Sequence, residues 1–559
     1  MSPSGGALVG VLGAGISGLS FAYFLHKLRP DVSITIFENT DRVGGWINST
    51  KYAIGLEFEP LTVLEKGPRT LRGVSDGSIL IVDTLTELNK ANLVLSMSKD
   101  SPANRKYLLC GEALVQVPSS FSSFVKFIMS PLGAKLPLSV LMEPFRKPPK
   151  EATRDESVRS FLTRRFGSHI VDNVVSAVYH GIYAGDVSKL SARSLMKGML
   201  DFEAQHGSVL KGTLNKIQAS KMEKKALKQA GKPASVLSDD LQNYQSTLAQ
   251  GRNIPALKTI LNRFPMVMVA NGLETLPRLL AENLQASPRI EILRNQTVTA
   301  ILPGQTISLT SLGEHYEFQH IRSTIPTYNL SRLLPLKSVI QQNLAKVEYV
   351  SIFLANVYLP RKDILKHTRG FGYLVPNSSQ NNENLLGIIF DSEVEKGMQS
   401  TFTRENTTSS TECYKIPEGR GNLKRAVDTA EPLEYTKLTI MMGGHFFNKH
   451  GIPSDSINLA AAKNVLLRHL NLDVSQYRLV DLSKGETAAG DNVIYIDYKL
   501  HRNCLPQFNV GYADNKEGME AILNDEFKGQ LSVGGMAFGD GAGVPDCVMN
   551  GFRGAWGMK

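Results

Sequence analysis

The sequence predicts an α/β protein that opens with a strand, a tight turn, a helix and a second strand. Residues 7–12 form a short apolar run, and the next segment places Ile16, Leu19 and Tyr23 at helical spacing. A second run at 32–37 is typical of a buried strand. Hydrophobic residues make up 42% of the chain and charged residues 20%, the balance of a globular protein. With 559 residues, the chain is expected to form more than one packed unit.

The rest of the chain alternates between helical and strand patterns. An apolar and basic stretch at 118–150, broken by prolines, leads into a helical region that extends to about residue 212. The α/β pattern resumes near Pro265, with an expected helix at 276–284, strands near Ile290 and Val298, and further strands within 347–376. Residues 397–434 are poor in large apolar side chains, so we expect a long surface insertion there.

The chain is basic, with 62 lysine and arginine residues against 52 acidic ones and a net charge of +10. This charge favours an anionic partner such as a lipid surface or an acidic small molecule. Nucleic acid is not expected, because the sequence has no zinc-finger spacing, aromatic RNA-binding motif or basic heptad helix. Seven lysines are expected to form a solvated loop or helix face: Lys211, Lys216, Lys221, Lys224, Lys225, Lys228 and Lys232.

The cysteines and the N-terminal segment exclude several other classes. Cys110, Cys413, Cys504 and Cys547 are too few for a disulfide scaffold and lack C-x-x-C spacing, so we expect ordinary buried thiols and no metal centre. The uncharged segment 7–25 is interrupted by glycines, which favours a cofactor fold over a membrane span. Neither a basic region nor an Arg-rich leader precedes it, so no secretory signal or ordinary mitochondrial presequence is expected.

Three glycines after the first strand form the pattern Gly13-x-Gly15-x-x-Gly18. Between a strand and a helix, such glycines let the backbone approach a pyrophosphate, which the N–H groups at the start of the helix bind. Glu38 ends the second strand, where a carboxylate accepts hydrogen bonds from a ribose. The combination predicts a Rossmann-like dinucleotide site, and the acid disfavours a 2′-phosphate.

A second motif, Arg42-x-Gly44-Gly45-Trp46, directly follows the second strand. Paired glycines permit close approach of a large ligand, and the arginine offers positive charge to a phosphate. Nicotinamide enzymes do not need this extension. It is similar to the motif of flavoproteins of the amine-oxidase superfamily, and this resemblance implies that the dinucleotide is FAD.

Further motifs make the resemblance more specific. They are Gly67-Pro68-Arg69-Thr70, Gly181-Ile182-Tyr183-Ala184-Gly185-Asp186, Gly370-Phe371-Gly372-Tyr373-Leu374-Val375-Pro376, Cys504-Leu505-Pro506-Gln507-Phe508 and Gly543-Val544-Pro545-Asp546. They span nearly the whole chain, and they resemble, in the same order, the motifs of the protoporphyrinogen oxidase family, particularly its fungal mitochondrial members.

The resemblance implies an FAD enzyme that removes six electrons from protoporphyrinogen IX to give protoporphyrin IX, the penultimate step of heme biosynthesis. O2 is the implied acceptor and H2O2 the product. The cofactor carries the hard step, and the sequence shows no hydrolytic triad or nucleophile elbow, so no side-chain base is assigned. FAD is expected to be non-covalent, because Cys547 lacks the aromatic flanks of a flavinylated cysteine. The residues expected at the cofactor are Gly13, Ala14, Gly15, Ile16, Ser17, Gly18, Glu38, Asn39, Arg42, Gly44, Gly45, Trp46, Gly67, Pro68, Arg69, Thr70, Val298, Val544, Pro545 and Asp546.

For the substrate, the resemblance implies a flat apolar slot with a cation for the propionates. Leu374 and Phe390 match the residues that sandwich a pyrrole ring, although core packing explains Phe390 equally well. Arg105 is expected at the propionate, with Lys106 as the alternative, because the alignment can slip by one residue here. Gly181 is expected in a glycine-rich turn, where its missing side chain admits the substrate.

The resemblance also implies three domains and a location. The FAD-binding domain comprises 1–98, 262–326 and 502–559, the mixed-sheet substrate domain 99–118 and 327–501 with the insertion 397–434, and the helical membrane-binding subdomain 119–261 with the Lys-rich loop. The stretch 124–145 combines large apolar residues with nearby Lys126, Lys135 and Arg146, which suits insertion into one leaflet of a membrane. A buried helical subdomain with a basic rim is the alternative. Family members lie peripherally on the inner mitochondrial membrane, and a homodimer and a ferrochelatase contact are expected by analogy.

Two other functions share the N-terminal motifs. An amine or polyamine oxidase would need an aromatic cage near the flavin, and the chain offers few candidates, since Trp46 and Trp556 are its two tryptophans. A non-catalytic FAD-fold protein would have no use for Glu38 and Arg42 in register. Coproporphyrinogen, another flat tetrapyrrole with propionates, stays open as a substrate.

Overall fold

The computed structural model describes residues 7–54, 61–149, 155–229, 236–335, 339–361, 364–365, 368–402, 435–488, 490 and 492–559. Lys232, Cys413 and residues 403–434 of the expected insertion lie outside the described residues.

The strands, in chain order, are β1 (Leu8–Leu12), β2 (Ser33–Phe37), β3 (Ser49–Tyr52), β4 (Thr62–Glu65), β5 (Leu71–Arg72), β6 (Val94–Met97), β7 (Lys106–Cys110), β8 (Ala113–Gln116), β9 (Met266–Val269), β10 (Ile290–Leu293), β11 (Val298–Leu302), β12 (Ile307–Ser311), β13 (Glu314–Phe318), β14 (His320–Ser323), β15 (Tyr349–Leu359), β16 (Gly372–Leu374), β17 (Leu385–Ile389), β18 (Met398–Ser400), β19 (Thr436–Gly444), β20 (Arg478–Asp481), β21 (Val493–Pro506) and β22 (Leu531–Val533).

The helices are α1 (Ile16–Leu28), α2 (Asp76–Glu87), α3 (Phe121–Ile128), α4 (Leu136–Met142), α5 (Val158–Phe166), α6 (Ser168–Ile170), α7 (Ser176–Tyr183), α8 (Ala192–Leu195), α9 (Lys197–His206), α10 (Val209–Gln229), α11 (Asp239–Thr247), α12 (Ile254–Leu261), α13 (Thr275–Gln285), α14 (Thr327–Leu333), α15 (Val339–Ala345), α16 (Asp391–Gly397), α17 (His445–His450), α18 (Asp455–Leu470), α19 (Tyr512–Glu526) and α20 (Val544–Trp556).

A five-stranded parallel sheet with the order β10-β2-β1-β14-β22 confirms the predicted α/β class. The apolar faces of the neighbouring helices form one core with the sheet, because α1 is buried along most of its length and packs against α20 and α13. Phe24 lies 5.5 Å from Phe552 and 6.1 Å from Tyr244, ring centroid to centroid, in edge-on contacts. The expected helix at 276–284 and strands near Ile290 and Val298 are α13, β10 and β11.

A mixed eight-stranded sheet with the order β20-β21-β15-β19-β17-β16-β7-β8 forms the second layer. One face, which we call the helix face, packs on α18 through a core that includes Phe353, Tyr373, Ile440 and Val465. We call the opposite face the cofactor face, because Asn356 on it donates to the carbonyl oxygen of Glu65, which directly precedes the segment that leads into the Gly67 motif. The remaining strands form a four-stranded, a three-stranded and a two-stranded sheet.

Helices fill the described residues between β8 and β9. A fully buried ion pair joins Arg165 on α5 to Glu143, whose carboxylate also accepts hydrogen bonds from Val209 N at 2.9 Å and from the hydroxyl of Ser208. This network anchors the start of α10 to the segment after α4. No helix among the described residues has the length and apolar character needed to cross a membrane.

Two expectations about surface segments can be compared with the structure. The Lys-rich segment forms a solvated helix face, one of the two expected forms, because its described part is the helix α10, with Lys211, Lys216 and Lys221 exposed. The insertion does not begin at residue 397, because β18 pairs antiparallel with β6 and buries Met398.

Candidate cofactor and substrate site

The predicted glycine motif forms the turn between β1 and α1. Gly13 has a φ of 93°, and its N–H donates to the carbonyl oxygen of Phe37 at 2.9 Å, which ties the turn to β2. A Cβ at Gly18 would lie 2.0 Å from the carbonyl oxygen of Gly13, so only glycine lets the helix start this close to the turn. The N-cap residue Gly15 supplies no capping side chain, which suits the start of α1 to an anionic ligand.

The second glycine motif lies against the first. The N–H of Gly44 donates to the carbonyl oxygen of Ala14 at 2.9 Å. The guanidinium of Arg42 donates to the carbonyl oxygen of Ile47 at 3.0 Å and lies 3.6 Å from the carboxylate of Glu274. The expectation that Arg42 faces a phosphate therefore needs correction, because its guanidinium binds backbone carbonyl oxygens of its own loop.

Glu38 lies where the two glycine loops meet, at the carboxyl end of β2, and is 8% exposed. One carboxylate oxygen accepts a hydrogen bond from the N–H of Ala14 at 3.0 Å, and the other accepts from the N–H and hydroxyl of Thr40 at 3.0 and 2.7 Å. The adjacent Asn39 is exposed. A fixed carboxylate at this edge of a parallel sheet is the arrangement that binds the ribose of a dinucleotide.

Two further predicted segments pack around these loops. A Cβ at Gly67 would lie 2.1 Å from the carbonyl oxygen of Trp46, so the Gly67 loop stacks directly on the second glycine motif. Pro545 lies in the first turn of α20, and Asp546 accepts a hydrogen bond from the N–H of Gly543 at 3.1 Å. Cys547 is buried, and burial raises the pKa of its thiol to about 11, so it is a protonated core thiol at neutral pH. Close-packed glycine loops, an uncapped helix start and a fixed acid thus fit a non-covalent FAD.

A buried polar contact between the two layers was not predicted. Arg69 lies 2.6 Å from the carboxylate of Asp391 and also contacts the hydroxyl of Thr439, both on the second layer. Asn356 donates to the carbonyl oxygen of Glu65 at 3.1 Å. Arg69 was expected at the cofactor, but its side chain instead links the Gly67 loop to the eight-stranded sheet. Its partners lie more than 300 residues away along the chain, so no local sequence signal could reveal them.

Two of the predicted substrate residues are in contact. A Cβ at Gly181 would lie 2.8 Å from a methyl group of Leu374, so the missing side chain makes room for Leu374. Gly181 lies within the helix α7 rather than in a turn, because the helix continues to Tyr183 and ends at Ala184 in the left-handed region. Both Gly181 and Leu374 retain accessible surface.

The predicted pairing of Leu374 with Phe390 is wrong. Side chains alternate between the two faces of a strand. Leu374 pairs with Gly387, and both lie on the cofactor face. Phe390 is two residues after Ile388 and therefore lies on the same face as Ile388, in the core of the helix face. Phe390 is 0% exposed and tilts against Tyr373 at 6.1 Å. It therefore packs the core and cannot stack on a ligand that touches Leu374.

The same alternation separates the two candidate cations. In the parallel pairing of β7 with β16, Lys106 lies opposite Gly372 and Leu108 opposite Leu374, so Lys106 and Leu374 share the cofactor face. Arg105 lies directly before β7 in an extended conformation, so the alternation of side chains places it on the opposite, helix face. Both side chains are exposed.

Comparison with known proteins supports the assignment of a flavin site. A profile of the flavin containing amine oxidoreductase family matches residues 16–412. Protoporphyrinogen oxidase of Saccharomyces cerevisiae is 37% identical over 98% of this chain and 97% of its own, and that of Schizosaccharomyces pombe is 30% identical over 97% and 96%. A crystal structure from Exiguobacterium sp. 255-15, which carries the same name provisionally, superimposes with a TM-score of 0.66 at 16% identity over 100% of this chain and 99% of that one. The chain is therefore an FAD-dependent oxidoreductase that belongs to the protoporphyrinogen oxidases within the flavin containing amine oxidoreductase family.

Proposed function

We propose that this protein oxidises protoporphyrinogen IX to protoporphyrin IX by six electrons, with O2 as acceptor and H2O2 as product, in heme biosynthesis. The observation that carries the proposal is the similarity along nearly the entire chain to two fungal protoporphyrinogen oxidases. Bound FAD supplies two-electron oxidation, so the protein's own side chains need to bind and orient the tetrapyrrole and to handle its protons.

We place the substrate slot between α7 and the cofactor face of the eight-stranded sheet. Leu374 offers an apolar contact beside Gly181. Lys106 lies on the same face, about 7 Å along the strand direction from the Leu108–Leu374 pair, within reach of a propionate on a ring that touches Leu374. Arg105, just before β7, is the alternative, although its position in the strand pattern places it on the opposite face.

The domain division remains part of the proposal, and sheet membership supports it. The parallel sheet draws β1 and β2 from 1–98, β10 and β14 from 262–326, and β22 from 502–559. In the described part of 119–261 no strand occurs. A homodimer and a ferrochelatase contact remain expectations by analogy, which mass photometry and co-sedimentation would test.

An anaerobic half-reaction tests the proposed activity. The purified, FAD-loaded protein should lose its yellow absorbance when mixed with protoporphyrinogen IX, and porphyrin fluorescence should appear. Coproporphyrinogen III run in parallel defines specificity. Bleaching by a polyamine but not by either porphyrinogen would identify an amine oxidase, and a colourless protein that does not take up FAD would refute the cofactor assignment.

We also propose that α3 and α4 insert into one leaflet of the inner mitochondrial membrane. Phe121 is 84% exposed and Phe145 is 75% exposed, beside a set of further exposed apolar side chains: Phe124, Met129, Leu138, Val140, Leu141 and Met142. Phe127 and Leu132 anchor this surface by packing in one cluster with Leu108 of β7 and Ala177 of α7. The surface thus adjoins the proposed slot, which suits delivery of an apolar substrate from lipid.

Vesicle flotation tests the membrane surface. Phe121→Asp and Phe145→Asp each remove an exposed aromatic side chain whose insertion into lipid is worth about 1.5–3 kcal/mol, so partition into anionic vesicles should fall about tenfold or more. Ile457→Asp, on α18 and 59% exposed, is the matched control and should leave partition unchanged. Equal flotation of all three variants would contradict the proposal.

A further inference from the structure

Two histidines that no motif predicted stack where α7 meets the end of β19. The rings of His180 and His445 lie 5.0 Å apart between centroids, at an interplanar angle of 28°, and their Nε2 atoms are 3.1 Å apart. His180 is 2% exposed, and its Nδ1 lies 2.7 Å from the carbonyl oxygen of Val375. His445 retains partial exposure.

These contacts determine which ring nitrogens carry protons. A carbonyl oxygen only accepts hydrogen bonds, so Nδ1 of neutral His180 is protonated and its Nε2 is an acceptor. The Nε2–H of His445 must then donate to His180, which leaves a lone pair on Nδ1 of His445. No hydrogen bond from a described residue reaches that nitrogen. The pair thus presents one oriented, unprotonated imidazole nitrogen.

The charges around the pair keep it neutral at rest. Burial and the neighbouring His180 lower the pKa of His445 to about 4, and burial lowers the pKa of His180. Asp186 favours a proton on His445, whereas Lys189 and Lys449 oppose it. Burial works against ionisation of Asp186, but hydrogen bonds from Ser188 hold its pKa below the ordinary value. Because the pKa of His445 is low, a proton that His445 accepts is released again at neutral pH.

The pair adjoins the proposed substrate slot. His180 directly precedes Gly181, and Val375 directly follows Leu374. The contact between α7 and the segment at β16 therefore positions both the slot residues and His180. The backbone N–H of His445 also donates to the carbonyl oxygen of Ala184 at 2.8 Å, which fixes the ring relative to α7.

We propose that His445, positioned by His180, takes up the protons that leave the pyrrole nitrogens of the substrate during its oxidation. This inference rests on the proposed function. In each two-electron step, a C–H bond at a bridging carbon breaks and its hydrogen leaves with the electron pair to the flavin. The N–H bond of a neighbouring pyrrole breaks, its electrons form the new C=N bond, and the proton goes to Nδ1 of His445 and then to solvent. Three hydrides account for the six electrons, with O2 as the final oxidant. Two of the three protons come from pyrrole N–H groups, and the third comes from the fourth bridging carbon after tautomerisation moves it to a pyrrole nitrogen, so that the product keeps two N–H groups and four bridging C–H groups.

His445→Gln tests the inference, because the glutamine amide can still donate to Nε2 of His180 but offers no basic nitrogen. We expect kcat to fall about 10²-fold or more, with KM changed less than about twofold and FAD content unchanged. His445→Gly should regain activity when imidazole is added, which a purely structural loss would not. His450→Gln, exposed on the same helix α17, is the matched control and should leave kcat unchanged.

A spectroscopic readout is independent of turnover. Nitrogen-15 NMR of histidine-labelled protein should show a protonated Nδ1 and an unprotonated Nε2 for His180, and the Nε2 signal should shift in His445→Gln. Wild-type kcat in His445→Gln, or a loss that imidazole does not rescue in His445→Gly, would overturn the inference while leaving the activity intact. Failure of the wild-type protein to oxidise protoporphyrinogen IX would instead refute the proposed function itself.

Discussion

Replacing Gly18 with alanine should loosen the cofactor loop. A Cβ at this position would lie 2.0 Å from the carbonyl oxygen of Gly13 and 3.2 Å from a methyl group of Val11. Backbone cannot yield as a flexible side chain does, so turn and helix must separate by about 1 Å, and overpacking of this kind costs about 1–3 kcal/mol. If the cost falls on the FAD-binding form, affinity for FAD drops about 5- to 150-fold.

Titration of the flavin-free protein with FAD, followed by quenching of flavin fluorescence, measures this loss. Gly518→Ala is the matched control, because Gly518 lies in α19 with no atom within 4 Å of its would-be Cβ. Alanine should stabilise that helix by about 1 kcal/mol and leave FAD affinity unchanged. Wild-type FAD affinity and thermal stability in Gly18→Ala would refute the close-packing argument.

Three further predictions concern the cofactor site, the substrate slot and the helical region. Glu38→Ala should lower the FAD retained per chain after dialysis, because the carboxylate orients both the turn and the ribose; full retention would contradict the nucleotide assignment. Lys106→Ala should raise KM by about tenfold or more through loss of about 1.5–3 kcal/mol of charged hydrogen bonding, whereas Arg105→Ala should not; the reverse pattern would move the propionate to Arg105. Arg165→Leu leaves Glu143 buried without its partner and should destabilise the helical region by about 3–5 kcal/mol in chemical denaturation, and an unchanged midpoint would rule this out.

Local sequence signals predicted the strand, glycine turn and helix at the N-terminus and the position of Glu38 at the end of β2, but not the partners of Arg42 and Arg69. The strand, glycine turn, helix and acid lie within 40 consecutive residues, so their geometry follows from spacing alone.

The substrate side depended on long-range pairing that local sequence does not encode. Whether Phe390 faces a ligand or the core is decided by the register of β16 and β17 within the eight-stranded sheet, since a shift of one residue exchanges the two faces. His180 and His445 are separated by 265 residues and meet only where the end of α7 contacts the start of α17. The glycine-rich segment at 181–185 was expected to form a turn, but its first three residues continue α7, whose buried face outweighs the weak helix propensity of Gly181.

The proposed activity is tested most directly by measuring O2 consumption and porphyrin formation together, with detergent-purified, FAD-loaded protein and protoporphyrinogen IX. Each O2 that is reduced to H2O2 accepts two electrons, so we expect three O2 consumed and three H2O2 formed for every protoporphyrin IX, at a rate proportional to the bound flavin. Porphyrin formation that does not depend on the protein or its flavin, or flavin reoxidation without porphyrin, would contradict it.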